Sequence, residues 1–235
     1  MTGMSTLRFF RTPAHPCSYL AGREATTLFV DPSTPISGAL YTTLSQRGFR
    51  RSGEFLYRPH CEACQACIPV RLPVARFAWR RRHRRLLRQH ATLTVEEQPA
   101  RFDSELYQLY ARYIHARHHD GDMYPPSEEQ FRGFLVSNWS DTRFYCFRRA
   151  GTLVAVAVVD RLLDGMSAVY TFYDPDDTRA GYGNLAILWQ LQRCQREGLP
   201  YLYLGYWVDG CRKMAYKSEF LPAERLIDGH WQEVR

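Results

Sequence analysis

Arg143-Phe-Tyr-Cys-Phe-Arg148, Thr152-Leu-Val-Ala-Val-Ala-Val-Val-Asp-Arg-Leu-Leu163 and Met166-Ser-Ala-Val-Tyr-Thr-Phe-Tyr173 decide the fold. All three are rich in β-branched and aromatic residues, so they read as consecutive strands. Asp164-Gly165 between the last two is a strong hairpin turn. Downstream, Gly183 to Glu197 reads as a helix stopped by Gly198, and Pro200–Gly205 as a buried strand. Arg225–Ile227 and His230–Val234 read as closing strands. Upstream, Leu93-Thr94-Val95 is a strand. Phe102, Leu106, Leu109, Tyr110, Tyr113 and Ile114 recur on one face of a helix. Pro125-Pro126 breaks the chain, and Ser127-Glu-Glu-Gln130 is a capping box opening a second helix through Phe131, Phe134 and Leu135.

From residue 91 the order is therefore β-α-α-β-β-β-α-β, a short polar segment, then β-β. It resembles the element order of the GCN5-related acyltransferase fold. The expected class is α+β: an acyltransferase-like domain over 91–235, preceded by a smaller cysteine-containing domain over 1–90. Residues 1–75 carry eleven prolines and glycines from Pro13 to Pro73 and little helical periodicity. They predict short strands and loops, with one short helix near Ile36–Gln46 capped by Ser33 or Thr34.

At 235 residues, 45% hydrophobic and 23% charged, the chain is of ordinary globular composition. Its longest apolar run, Leu153 to Val159, is too short to span a bilayer. The N-terminus lacks the pattern of a secretory signal, so a cytoplasmic protein is expected. The seven cysteines are odd in number, which favours reduced thiols, with one metal site at most, over a disulfide scaffold. Charge is uneven. Residues 1–90 hold 15 Lys+Arg against 4 Asp+Glu, a net of +11, whereas 91–235 hold 16 against 20, a net of −4. A cationic lobe of this kind suits a polyanion, although an Arg-rich codon usage gives the same count.

Four constellations carry chemistry. Thr178-Arg-Ala-Gly-Tyr-Gly183 lies between a strand and a helix, where backbone N–H groups hold phosphate, or where the chain simply turns. Cys61, Cys64 and Cys67 stand at C-x₂-C spacing, suited to zinc or an iron–sulfur cluster with Cys17, His15 or His60 as fourth ligand, or are plain thiols. Seven arginines between Arg76 and Arg88, with Trp79 and His83, can neutralise phosphates and stack a base, or form a solvated helix face. Finally, Tyr201-Leu-Tyr-Leu-Gly-Tyr-Trp207 leads to Lys213 and Lys217, the two lysines of the chain. If 211–217 is helical, both ammonium groups share one face.

Taken together, Pro16-Cys-Ser-Tyr-Leu20, Gly48–Arg71 with its Tyr57-Arg-Pro-His-Cys61 core, Tyr170-Thr-Phe-Tyr-Asp-Pro175, Gly198–Trp207 and Lys213-Met-Ala-Tyr-Lys217 resemble the aminoacyl-tRNA–protein transferases, in particular the bacterial aspartate/glutamate leucyltransferase branch. Leu20 stands where arginyl-transferring relatives carry a second Cys. The resemblance implies transfer of an aminoacyl group, leucyl in this branch, from charged tRNA to proteins with N-terminal Asp or Glu, an N-degron step leading to protein degradation. Such an ester is already activated, so no cofactor is required for the chemistry. The reaction is expected where strand 166–174 and strand 200–205 splay at the glycine loop. There Asp174 would orient the amine and Tyr206 would donate to the oxyanion. Substrate contacts are expected from Arg50, Arg51, Tyr57, Arg71, Lys213 and Lys217, and tRNA contacts from Arg80, Arg81, Arg82, Arg84 and Arg85. A metal, if held, would sit on Cys17, Cys61, Cys64 and Cys67. A coenzyme A-dependent N-acetyltransferase and a non-catalytic RNA-binding protein are the alternatives.

Overall fold

A computed structural model describes residues 7–119, 121 and 123–234. The first part of the chain contributes β1 (Phe9–Arg11), β2 (His15–Pro16), β3 (Glu24–Ala25), β4 (Thr27–Val30), α1 (Gly38–Gln46), β5 (Arg50–Ser52), β6 (Phe55–Pro59), β7 (Ile68–Pro73) and α2 (Arg81–Gln89). The remainder contributes β8 (Thr94–Pro99), α3 (Ser104–Arg117), α4 (Glu128–Leu135), β9 (Thr142–Arg149), β10 (Thr152–Leu162), β11 (Gly165–Tyr173), α5 (Tyr182–Glu197), β12 (Tyr201–Trp207), β13 (Ala223–Ile227) and β14 (His230–Val234). This is a mixed α and β protein.

The three strands that open the sequence reading form the heart of an eight-stranded sheet, ordered β14-β13-β7-β12-β11-β10-β9-β8. Its pairs are antiparallel except β11 with β12. Leu153–Val159 of β10 is an unbroken apolar run because helices cover both its faces. Ala155, Ala157 and Val159 pack under α5, while Val156 and Val158 pack under α3 and α4. Asp103 caps α3 by accepting from the Glu105 and Leu106 N–H groups, and Ser127 caps α4 by accepting from Gln130, as its sequence predicts. α5 starts after Gly181 and stops at Gly198, both with positive φ.

Two local expectations shift. The cap of α1 is Ser37, whose hydroxyl accepts from the Leu40 N–H. Ser33 is instead held in a turn by Asp31, whose carboxylate takes both its N–H and its hydroxyl. The large sheet also recruits β7 from the first 90 residues, pairing it between β12 and β13, and α2 packs beside α5. Of the remaining N-terminal strands, β2 pairs with β3 and the others form a four-stranded sheet, β1-β4-β6-β5, which packs with α1 against Leu162 and Tyr203. Its seam with the large sheet is a buried polar knot. Asp160 of β10 accepts from Arg51 Nε (2.7 Å) and Nη2 (2.9 Å), Tyr41 Oη (2.5 Å) and Thr142 Oγ1 (2.7 Å).

Candidate active site

The parallel pair that gives the sheet its mixed character is short. β11 and β12 are in register only from Gly165 opposite Tyr201 to Ser167 opposite Tyr203. Beyond that point β11 continues to Tyr173 on β10, and β12 continues to Trp207 on β7. Both strands change register where they part. Val169 is an extra residue in β11 opposite β10, and Leu204 is an extra residue in β12 opposite β7. Bulges increase local twist, so a pair on adjacent strands drives them apart.

Arg50, reaching in from β5, stands at the head of this gap. Its guanidinium donates to Ser167 Oγ (2.8 Å) and to the Ala168 carbonyl. Gly205, with φ of 77°, makes the approach possible, since a β-carbon there would lie 3.3 Å from Arg50 Nε. The β11 side of the gap is aromatic: the Tyr113 ring of α3 lies 4.8 Å from Tyr173 and 6.2 Å from Tyr170. Lys217 closes the β12 side, donating to the Tyr206 carbonyl and lying 3.2 Å from Met214 Sδ. Burial, with repulsion from Arg50, lowers its ammonium pKa to about 7.

Next to the gap lies a cavity of about 880 Å³, bordered by Tyr57 and Tyr206 and by residues of the β2–β3 and 60–68 loops. Cys17, Cys61, Cys64 and Cys67 all border it. Burial, and then the neighbouring thiols, push the Cys67 thiol up to about 12. Among the described residues, however, no three His, Cys, Asp or Glu side chains form a group that could hold a metal. Cys64 instead accepts from Arg23 at 3.5 Å, and Cys61 lies 3.7 Å from the Thr26 carbonyl.

The helix α2 exposes Arg81, Arg82, Arg84 and Arg85, with Arg80 just before it, while His83 is buried between Phe77 and Phe220. Arg82 is tied to Glu219. Leu86 of α2 touches Gly181, so the arginines flank the loop that opens α5.

Other residues selected from the sequence have different surroundings from those expected. The Tyr206 hydroxyl donates to the Gly48 carbonyl at 2.8 Å and is buried, so its proton is engaged in joining β12 to the N-terminal sheet. Asp174 is ion-paired to Arg112 of α3 at 2.7 Å. Arg51 is saturated by Asp160, and Arg71 pairs with Glu224 at 2.7 Å while stacking on Tyr201 and Trp231. The two lysines do not share a face. Residues Arg212–Glu219 form a 3-10 helix, in which positions four apart fall about 120° round the axis, so Lys217 is buried and Lys213 exposed. Sequence reasoning passed over Arg58, Tyr113 and the two bulges. Arg58 lies inside the Tyr57–Cys61 motif, but nothing in its spacing separates it from the paired arginines around it.

Residues 15–85 match the family described as arginine-tRNA-protein transferase, N terminus, and residues 105–227 match its C terminus. An aspartate/glutamate leucyltransferase of Alcanivorax borkumensis is 61% identical over 233 residues, covering 99% of this chain and 96% of that protein. Another, of Marinobacter nauticus, is 53% identical over 234 residues, covering 100% and 99%. A solved C-terminal domain of a putative lysylphosphatidylglycerol synthetase from Agrobacterium fabrum superposes with a TM-score of 0.47 and 14% identity, over 62% of this chain and 47% of that one.

Proposed function

The chain belongs to the arginine-tRNA–protein transferase family and is an aminoacyltransferase, and we propose that it moves a leucyl group from charged tRNA to the α-amino group of acceptors beginning with Asp or Glu. The parted β11–β12 pair, headed by Arg50 and flanked by the arginine face of α2, is the observation that carries this reading. It supports the reading of residues 91–235 as an acyltransferase-like domain with its reaction in this gap. Among the described residues no helix is long and apolar enough to cross a membrane. We place the reaction in the cytoplasm, where such a tag marks proteins for degradation.

In the proposed reaction the acceptor nitrogen attacks the leucyl carbonyl carbon. A C–N amide bond forms, the ester C–O bond breaks, and the amine proton passes to the departing ribose oxygen. The free α-amino group has a pKa of about 7.7–8.0, so most of it is protonated near neutrality and only about 10–20% is free to attack. Positioning and charge stabilisation supply the rest. Past Ser167, β11 has no strand partner on its β12 side among the described residues. Backbone N–H groups on that edge are better placed to receive the oxyanion than the engaged Tyr206 hydroxyl. Arg50 fixes the strand separation, and the aromatic wall suits an apolar aminoacyl group.

A donor assay tests this reading. Purified protein receives total tRNA charged with each labelled amino acid in turn and one Asp-led peptide. Label should pass from leucyl-tRNA and be abolished by ribonuclease. Transfer of acetyl from acetyl-coenzyme A without tRNA would overturn the reading.

The arginine face leads to a separate expectation. Changing Arg80, Arg81, Arg82, Arg84 and Arg85 to Gln should weaken tRNA binding and flatten its salt dependence by about 0.7–0.9 in log–log slope per lost phosphate contact. Arg82 should matter least because Glu219 holds it. An unchanged slope would make α2 an ordinary solvated helix.

A further inference from the structure

Most arginines near the gap are already engaged: Arg50 with Ser167 and Ala168, Arg51 with Asp160, and Arg71 with Glu224. Arg58 differs. It lies on β6 and borders the 880 Å³ cavity, with its guanidinium carbon 5.1 Å from the centre of the Phe49 ring. Its Nε is buried and has no hydrogen-bond partner. A buried donor of a cation left unpaired is an expensive state, and each such group calls for an explanation. Arg23 and Arg47 border the same cavity, exposed, and neither forms an ion pair among the described residues. The acids on its lining, Glu24 and Asp228, are exposed. The cavity volume falls within the range of about 300–1,000 Å³ usual for small-ligand pockets. Tyr57 and Tyr206 connect it to the gap, because Tyr57 lies opposite Arg50 in the β5–β6 ladder and Lys217 donates to Tyr206.

We propose that this cavity receives the first residue of the acceptor and that the Arg58 guanidinium binds its side-chain carboxylate. A planar, permanently charged fork is suited to a carboxylate and leaves a neutral amide poorly matched. Binding there would give the Arg58 guanidinium a counter-charge and bring the acceptor's amine towards Arg50 at the gap. The proposal rests on the leucyl-transfer reading and names the residue that sets acceptor choice.

Steady-state transfer from leucyl-tRNA to peptides that begin Asp or Asn, and are otherwise identical, tests it for wild type, Arg58→Gln and Arg58→Lys. The wild type establishes the reaction, so absence of transfer there counts against the leucyl reading rather than against Arg58. With wild type active, Arg58→Gln should raise KM for the Asp-led peptide at least tenfold, by more than kcat falls. Preference for Asp over Asn should shrink by a similar factor, and tRNA affinity should not change. Arg58→Lys, which keeps the charge, should recover part of the preference and serves as the readout if Arg58→Gln does not fold. Wild-type KM and undiminished Asp preference in either folded variant would overturn the proposal.

Discussion

Replacing Arg51 with methionine is expected to remove about 3–5 kcal/mol of stability, because it strands a buried carboxylate. Arg51 and Asp160 side chains are both fully enclosed, and Arg51 supplies two of the four hydrogen bonds that Asp160 accepts. Tyr41 and Thr142 cannot balance the remaining charge. Since Asp160 sits on the central strand β10 and Arg51 on β5, the loss should loosen the N-terminal sheet from the large sheet and reduce transfer with it. Denaturant midpoints measure the effect. The double variant Arg51→Met with Asp160→Leu should recover a substantial part, since removing both charges leaves none unpaired. A loss under about 1 kcal/mol for Arg51→Met would mean that the knot contributes little.

The second large effect concerns Lys217. Its amine holds the Tyr206 carbonyl at the β12 edge of the gap, within the field of Arg50. Lys217→Met removes that tie, and Lys217→Arg forces a larger, permanently charged group into the same buried space. Either should lower transfer at least tenfold, equivalent to about 1.4 kcal/mol. The same Arg exchange at the exposed Lys213 should have a smaller effect. Stability should change with a defined sign. Folding lowers the Lys217 pKa from 10.5 to about 7. Between these values the unfolded chain binds more protons than the folded one, so stability rises with pH across that window and is lowest below it. Relative to Lys217→Met, the wild type should gain about 2 kcal/mol between pH 7.5 and 9.5. Parallel stability curves for the two proteins would show that the amine titrates as in solvent.

The pattern of strands and helices from residue 91 onward could be read because local signals agree with the final packing. The Ser127 cap and the Gly198 stop act over a few residues and appear where the sequence puts them, and the β10–β11 hairpin turns at Leu163-Asp164, one residue before the expected Asp164-Gly165. Partnerships over long separations could not be read in the same way. The short strands expected over residues 1–75 carry no sign that one of them, β7, takes a place between β12 and β13. Four arginines, Arg50, Arg51, Arg58 and Arg71, look alike in sequence. One heads the gap, two are neutralised by acids more than a hundred residues away, and one borders the cavity with an unsatisfied Nε. The lysine pair fails as a shared face because 3-10 winding, not α winding, separates them.

The acceptor side of the reaction tests the central claim most directly. Purified protein, leucyl-tRNA and peptides differing only at the first residue are incubated together, and the products are weighed by mass spectrometry. Peptides beginning Asp or Glu should gain one leucyl residue on the α-amino group, whereas Asn-led, Gln-led and N-acetylated peptides should stay unmodified. Equal leucylation of the Asn-led and Asp-led peptides, or none of either with intact leucyl-tRNA present, would contradict the account.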